Sequence, residues 1–227
     1  MIYPPYQRSP ERRRVAGAGA PSRFFRQGAT GLHISGRSLG ICLRQAAQAQ
    51  DAQLVTYNFN ALSVPEELRQ RHVSSLAKEL QVAEKLQVSP ESLDEYQGIC
   101  LKSMPGNPYH GPAHLLDVLQ FLTTLLQETG LDQTLSPLQS SALVLAAAAH
   151  DVDHTGTSNP YLVKVSHEYV EDPWTTSHGQ DSADGIGPME SHSASKALEL
   201  IQEIMGCKDS RLLQMVEKAI HGTDLSQ

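Results

Sequence analysis

Cysteine is scarce. Cys42, Cys100 and Cys207 are three in number and far apart. An odd count without close spacing excludes a disulfide scaffold and a cysteine-based zinc motif, and it fits reduced thiols inside a cell. No apolar run approaches the ~18–20 residues that a membrane-spanning helix needs. The first fifty residues also lack the apolar core of a secretory signal. They contain no lysine and one acid, Glu11, against eight arginines, a net charge of +7. Residues 51–227 carry ten basic and 24 acidic side chains, a net −14. That acidic body argues against a nucleic-acid surface and suits a site that collects cations.

Residues 1–51 read as a basic, disordered tail. They are rich in Arg, Gly, Ala, Pro and Ser, as in Arg12-Arg13-Arg14-Val15-Ala16-Gly17, and have no sustained periodicity. An Arg-rich, nearly acid-free leader is also the composition of a mitochondrial transit segment, but its Gly and Pro residues weaken the required amphipathic helix. The expected location is cytoplasmic. From residue 52 the pattern is helical. Pro65 with Glu66 and Glu67 marks one start, and Leu68, His72, Leu76, Leu80 and Val82 continue it. Ser89-Pro90 opens a second helix with Ser89 as N-cap. A third is expected from about His110 to Gln127, a fourth from Ser136-Pro137 into His150, and two more over about 190–206 and 209–222. Residues 167–188, which include the single Trp174, read as a long loop. No strand pair is evident, so the class is all-α, a compact multi-helix domain over 52–227.

Two histidine clusters carry the chemistry. One is Asn107-Pro108-Tyr109-His110-Gly111-Pro112-Ala113-His114-Leu115-Leu116-Asp117-Val118; the other is His150-Asp151-Val152-Asp153-His154. They hold four of the ten histidines and three aspartates. The spacing of four within each pair puts both rings on one face if the segment is helical. The second cluster ends the run Ala142-Leu143-Val144-Leu145-Ala146-Ala147-Ala148-Ala149, whose small side chains allow close packing on every side. Carboxylate and imidazole carried into a core are costly unless paired or metal-bound. A lone histidine is ordinarily a surface or satisfied core residue, and His33, His72, His167 and His178 are read so. Neutral imidazole with carboxylate suits zinc, manganese or iron, and a second ion held mostly by water suits magnesium. Two such ions are a general device for phosphoester hydrolysis.

The pieces Asn107 to Val118 and His150 to Leu162 resemble the motifs of the class I 3′,5′-cyclic nucleotide phosphodiesterases. The resemblance continues in Tyr57-Asn58-Phe59-Asn60, in Met189-Glu190-Ser191-His192 and in Gly222-Thr223-Asp224-Leu225-Ser226, and covers roughly 52–227. It implies hydrolysis of cAMP or cGMP to the 5′-monophosphate with two divalent ions, Zn2+ and Mg2+ or Mn2+. It implies His110 as the general acid and His114, His150 and Asp151 as metal ligands, with Asp151 bridging both ions. It places Asp153, His154 and Glu190 behind the ligands, holding water and orienting them. Tyr109, Asn159, Thr223, Asp224 and Leu225 would lie near the substrate. Asp117 belongs to the pattern, with a structural or a metal role.

Three departures stand out. Gly111 replaces an Asn usual in the family, in what reads as a first helical turn. The loop 163–188 is longer and lacks the usual Tyr-Asn-Asp pattern. In the family a further block of helices supplies another metal-binding aspartate and a base-binding glutamine; no residue here takes either role, so the chain is expected to be the front part of a catalytic domain, incomplete at its C-terminus. Two alternatives remain. One is a more distant His-Asp metal phosphohydrolase, against which the Tyr109-His110…His114 block and His154 argue. The other is a non-catalytic phosphodiesterase-like fragment with a regulatory or binding role, disfavoured by the intact His110, His114, His150 and Asp151.

Overall fold

The computed structural model describes residues 53–104, 109–171 and 186–224. The tail 1–51, Asn107, Trp174 and Leu225 lie outside the described residues. A 3₁₀ turn at Ala61–Ser63 precedes α1 (Glu66–Glu79), α2 (Val82–Leu86), α3 (Pro90–Lys102), α4 (Pro112–Glu128), α5 (Leu131–Thr134) and α6 (Pro137–Ala149). Then follow α7 (Asn159–Lys164), α8 (Glu168–Glu171), α9 (Pro188–Glu203) and α10 (Ser210–His221). No strand occurs among the described residues, and the all-α class stands.

The fold is built around α6. Ser136 starts it with a capping box: Ser136 Oγ accepts from the Gln139 N–H at 3.3 Å, and Gln139 Oε1 accepts from the Ser136 N–H at 2.9 Å. Ser141, Ala142, Val144, Leu145, Ala146, Ala148 and Ala149 are buried, so the helix is enclosed on almost every side. It touches α2, α3, α4, α9 and α10. Small side chains are what let so many neighbours approach one axis. The opposing helices supply the bulk, with Leu115, Leu116 and Leu119 from α4 and Leu212, Val216 and Ile220 from α10 fully buried. The spacing of the α10 triad puts one apolar stripe against the core. Asp209 caps α10, accepting from the Arg211 and Leu212 N–H groups at 2.9 and 3.3 Å.

Two helix limits differ from the sequence reading. The first helix does not run through Leu80 to Val82. Gln81 adopts φ 53°, in the left-handed region, which ends α1 and lets the fully buried Val82 open α2 against α6. Within the stretch read as a loop, α8 forms, held by Tyr169, whose hydroxyl donates to the Asp153 carbonyl at 3.1 Å. His72 is a core residue, edge-on to Phe59 at 5.7 Å.

Tyr96 on α3 is completely buried and donates its hydroxyl to the Leu145 carbonyl of α6 at 2.9 Å. Burial holds its hydroxyl pKa well above the usual value, so the phenol stays a donor. Tyr96→Phe is expected to destabilise the fold by about 1–2 kcal/mol, the net worth of one buried hydrogen bond plus an underserved carbonyl. A urea melt showing no change in midpoint would contradict this.

Candidate active site

The tight packing of α6 delivers its C-terminal end to the middle of the domain. His150 is the C-cap, and the chain then turns through Asp151–His154, with the Val152 N–H donating to Ala149 O at 3.0 Å and the His154 N–H to Asp151 O at 3.1 Å. Asp153 takes φ 58°, which breaks any continuation of the helix. His154 is therefore not on the helix with His150. His110 likewise stands before α4: Pro112 occupies its first turn, and the extended Gly111 is the N-cap rather than a first-turn residue. The expected one-face helical pairing holds for neither pair. The rings meet through folding instead, with His110 and His114 centred 5.8 Å apart and His114 and His150 5.3 Å apart.

Asp151 is 5% exposed, and its Oδ2 is met by three imidazoles. His110 Nδ1 lies at 2.8 Å, His150 Nε2 at 3.4 Å and His114 Nε2 at 3.5 Å. His150 Nε2 and His114 Nε2 are 3.3 Å apart. Those last three atoms form a nearly equilateral triangle. A tetrahedral ion with bonds of about 2.1 Å holds its ligand atoms about 3.4 Å apart, so the spacing of these donor atoms is compatible with a divalent ion of that size. The His150 Nδ1 sits 3.0 Å from the Ala147 carbonyl. A carbonyl only accepts, so Nδ1 carries the hydrogen and Nε2 turns its lone pair to the cluster, as metal-bound histidines do. Burial, then the neighbouring His150, lowers the His114 pKa and keeps it a neutral donor. A second grouping, His110, His114 and Asp151, has donor atoms within 4.8 Å of one another. The His114–His150–Asp151 triangle is the tighter of the two and the better match to ligand spacing.

His110 stacks on His154 with ring centroids 3.7 Å apart and planes 13° from parallel. This stacked pair lines two cavities. One, of about 680 Å³, runs along α4 and α6 past Val118, Phe121, Leu122 and Leu143. The other, of about 550 Å³, is lined by Thr157, Asn159, Met189, Glu190, Thr223 and Asp224. A third cavity, of about 410 Å³, lies between α1, α2 and α3 beside Lys78, Glu84, Asp94 and Gln97, with no histidine in its wall.

The family model described as 3'5'-cyclic nucleotide phosphodiesterase matches residues 109–227. The chain belongs to this family. Over 62 residues it is 40% identical to the bovine dual specificity calcium/calmodulin-dependent 3',5'-cyclic nucleotide phosphodiesterase 1B, covering 27% of this chain and 12% of that protein. Over 130 residues it is 32% identical to 3',5'-cyclic-AMP phosphodiesterase, isoform F, of Drosophila melanogaster, covering 53% and 18%. In fold it is similar to the phosphodiesterase domain of Salpingoeca rosetta rhodopsin phosphodiesterase, with a TM-score of 0.65 and 21% identity over 80% of this chain and 54% of that one. It thus spans under a fifth of these curated relatives and about half of the solved domain.

Within this family member the site residues fall into four groups. His110, His114, His150, Asp151 and His154 converge as described. Tyr109 is 66% exposed and leans on the His114 ring at 4.6 Å, at the mouth of the larger cavity. Asp117 is exposed on α4 in the same wall. Burial first, then His110, lowers the His154 pKa. Asp153 turns away from the metal triangle toward α9, where His192 Nε2 stands 3.5 Å from its Oδ2. Glu190, Asn159 and Asp224 form the fourth group at the N-terminus of α9, and burial raises the Glu190 pKa. Thr223 lies beside them and lines both cavities of the stacked pair.

Three residues without an assigned role bear on the site. Tyr169 stacks on His192 at 3.7 Å and braces the strained Asp153; nothing in its local sequence marks it. Ser193 Oγ donates to the Val152 carbonyl at 3.0 Å and secures the same turn. Gly187 carries a signal only in hindsight, as a residue without a side chain just before the Pro188 that opens α9.

Proposed function

We propose that this site hydrolyses 3′,5′-cyclic nucleotides, cAMP or cGMP, to the 5′-monophosphates in signalling, using two divalent ions, Zn2+ and Mg2+ or Mn2+. Family membership supports it, and so do the names of the relatives, which cite cyclic-AMP and dual specificity. The observation that carries it is the triangle of His114, His150 and Asp151 with His110 hydrogen-bonded at its corner. His114, His150 and Asp151 would hold the tighter ion, and Asp151 would also reach the second. When bound, the ions neutralise phosphoryl charge and lower the pKa of water.

The chain's own groups do the rest. Asp151 Oδ2 accepts from His110 Nδ1 and leaves Nε2 as the nitrogen that can deliver a proton. Water oxygen bonds to phosphorus and one water proton is released, the P–O3′ bond breaks, and the doubly protonated His110 gives its Nε2 proton to the departing O3′; the released proton restores His110, so the net change is the addition of one water. The parallel His154 ring fixes the plane of His110. The larger cavity, with Val118, Phe121, Leu122 and Leu143 in its wall, suits the apolar face of a base, and the smaller one offers polar groups.

The test is turnover of cAMP and cGMP by the purified chain with added Zn2+ and Mg2+ or Mn2+, the nucleotide products being separated by chromatography. The 5′-monophosphate is expected, and EDTA should abolish its formation. A 3′-monophosphate product would refute the proton assignment. Absence of turnover with intact metal binding would leave a metal-binding, non-catalytic member of the family.

A further inference from the structure

The Asn159 side chain is spent inside the protein. Its Nδ2 donates to Glu190 Oε2 at 2.7 Å, and its Oδ1 accepts from the Met189 N–H at 3.0 Å. The partners fix the orientation of the amide, because a backbone N–H only donates and a carboxylate only accepts. The seat it occupies exists because residue 187 is glycine. A Cβ on Gly187 would overlap Asn159 Nδ2 and come within 2.6 Å of Glu190 Oε2. Gly187 is held in turn, its N–H donating to the buried Asp224 Oδ2 at 3.1 Å. Asn159 opens α7, Gly187 and Glu190 open α9, and Asp224 follows α10, so three segments lock at one point. Glu190 lines both cavities that flank the His110–His154 stack.

We propose that Asn159 is a positioning residue, not a substrate contact: seated in the gap left by Gly187, it orients the Glu190 carboxylate on the wall shared by the two cavities. What Glu190 then does for the substrate rests on the phosphodiesterase reading; the positioning itself does not. Burial raises the Glu190 pKa, and the Asn159 hydrogen bond opposes that rise by stabilising the ionised form. Asp224 and Asp151 push in the same direction as burial. His110 and His154 face the same cavities.

The decisive variant is Asn159→Asp. It keeps an acceptor for the Met189 N–H at nearly unchanged volume, and replaces the donor facing Glu190 with an acceptor. A purely structural tie would be weakened by it as well, but without a fall in kcat at unchanged KM. The carboxyl of Glu190 is followed by carbon-13 NMR pH titration of glutamate-labelled protein, its signal identified by its loss in Glu190→Gln. The midpoint is expected to move to higher pH in both Asn159→Asp and Asn159→Ala. An unchanged midpoint in Asn159→Asp overturns the proposal. A melting cycle adds a second check. Gly187→Ala should lower Tm by about 3 °C or more in the unaltered protein and by clearly less in the Asn159→Ala background, where only the far end of the Glu190 side chain is left to give way to the new Cβ. Additive losses overturn it equally. In hydrolysis, Asn159→Asp should lower kcat with KM little changed. If no hydrolysis is found while the midpoint moves, the catalytic reading fails and the positioning role stands.

Discussion

Asp151→Ala is expected to remove metal binding and hydrolysis together while leaving the metal-free fold intact. Oδ2 of Asp151 is one corner of the ligand triangle and the only carboxylate oxygen in it. Without it two neutral imidazoles remain, with no negative charge to balance a divalent ion. Loss of a group that merely orients a ligand weakens metal binding by roughly 10–100-fold, so loss of this ligand should exceed ~100-fold. The metal-free protein behaves differently. Asp151 is buried, and its shortest contact is with the partly exposed His110, which water can reach once the carboxylate is gone, so the loss should stay below that of a broken, fully buried pair. Melting curves separate the two effects. In EDTA the variant and the unaltered protein should melt within about 3 °C of each other. With ion at about 100 times its dissociation constant, the unaltered protein should gain roughly 5–10 °C and the variant nothing. Equal gains in both would place the ion elsewhere.

The helical plan was legible because helix starts are chemically explicit. Ser89 and Ser136, each followed by proline, mark α3 and α6, and the run of alanines after Leu145 marks a helix that must be enclosed. The identities of the converging groups were legible too, since His110, His114, His150 and Asp151 are side chains with few uses in an apolar setting. How they converge was not. A spacing of four reads as a helical face, yet the left-handed backbone of Asp153 and the extended Gly111 put His154 and His110 off their helices. Left-handed φ at Gln81 is not announced by its residue type, and aspartate visits that region more often than most residues but not often enough to mark Asp153 in advance. Asn159 is expected near the substrate and does line the smaller cavity; that its amide bonds Glu190 and the Met189 N–H depends on the space beside Gly187, which the local sequence does not announce.

His110→Ala separates proton delivery from metal binding. If His110 protonates the departing O3′, removing it should lower kcat on a cyclic nucleotide by about 10²–10⁴-fold. Metal affinity should fall by no more than roughly 10–100-fold, the loss of a group that hydrogen-bonds a ligand, because the triangle of His114, His150 and Asp151 does not include it. The leaving group supplies an internal control. Ribose O3′ is a poor leaving group and needs its proton, whereas nitrophenolate leaves without one. On bis(4-nitrophenyl) phosphate the variant should therefore retain nearly all of the unaltered protein's rate. Equal losses on both substrates, with metal content intact, would make His110 an orienting group for Asp151 through their 2.8 Å contact rather than the acid. Loss of metal would instead make His110 a ligand and favour the looser grouping of His110, His114 and Asp151.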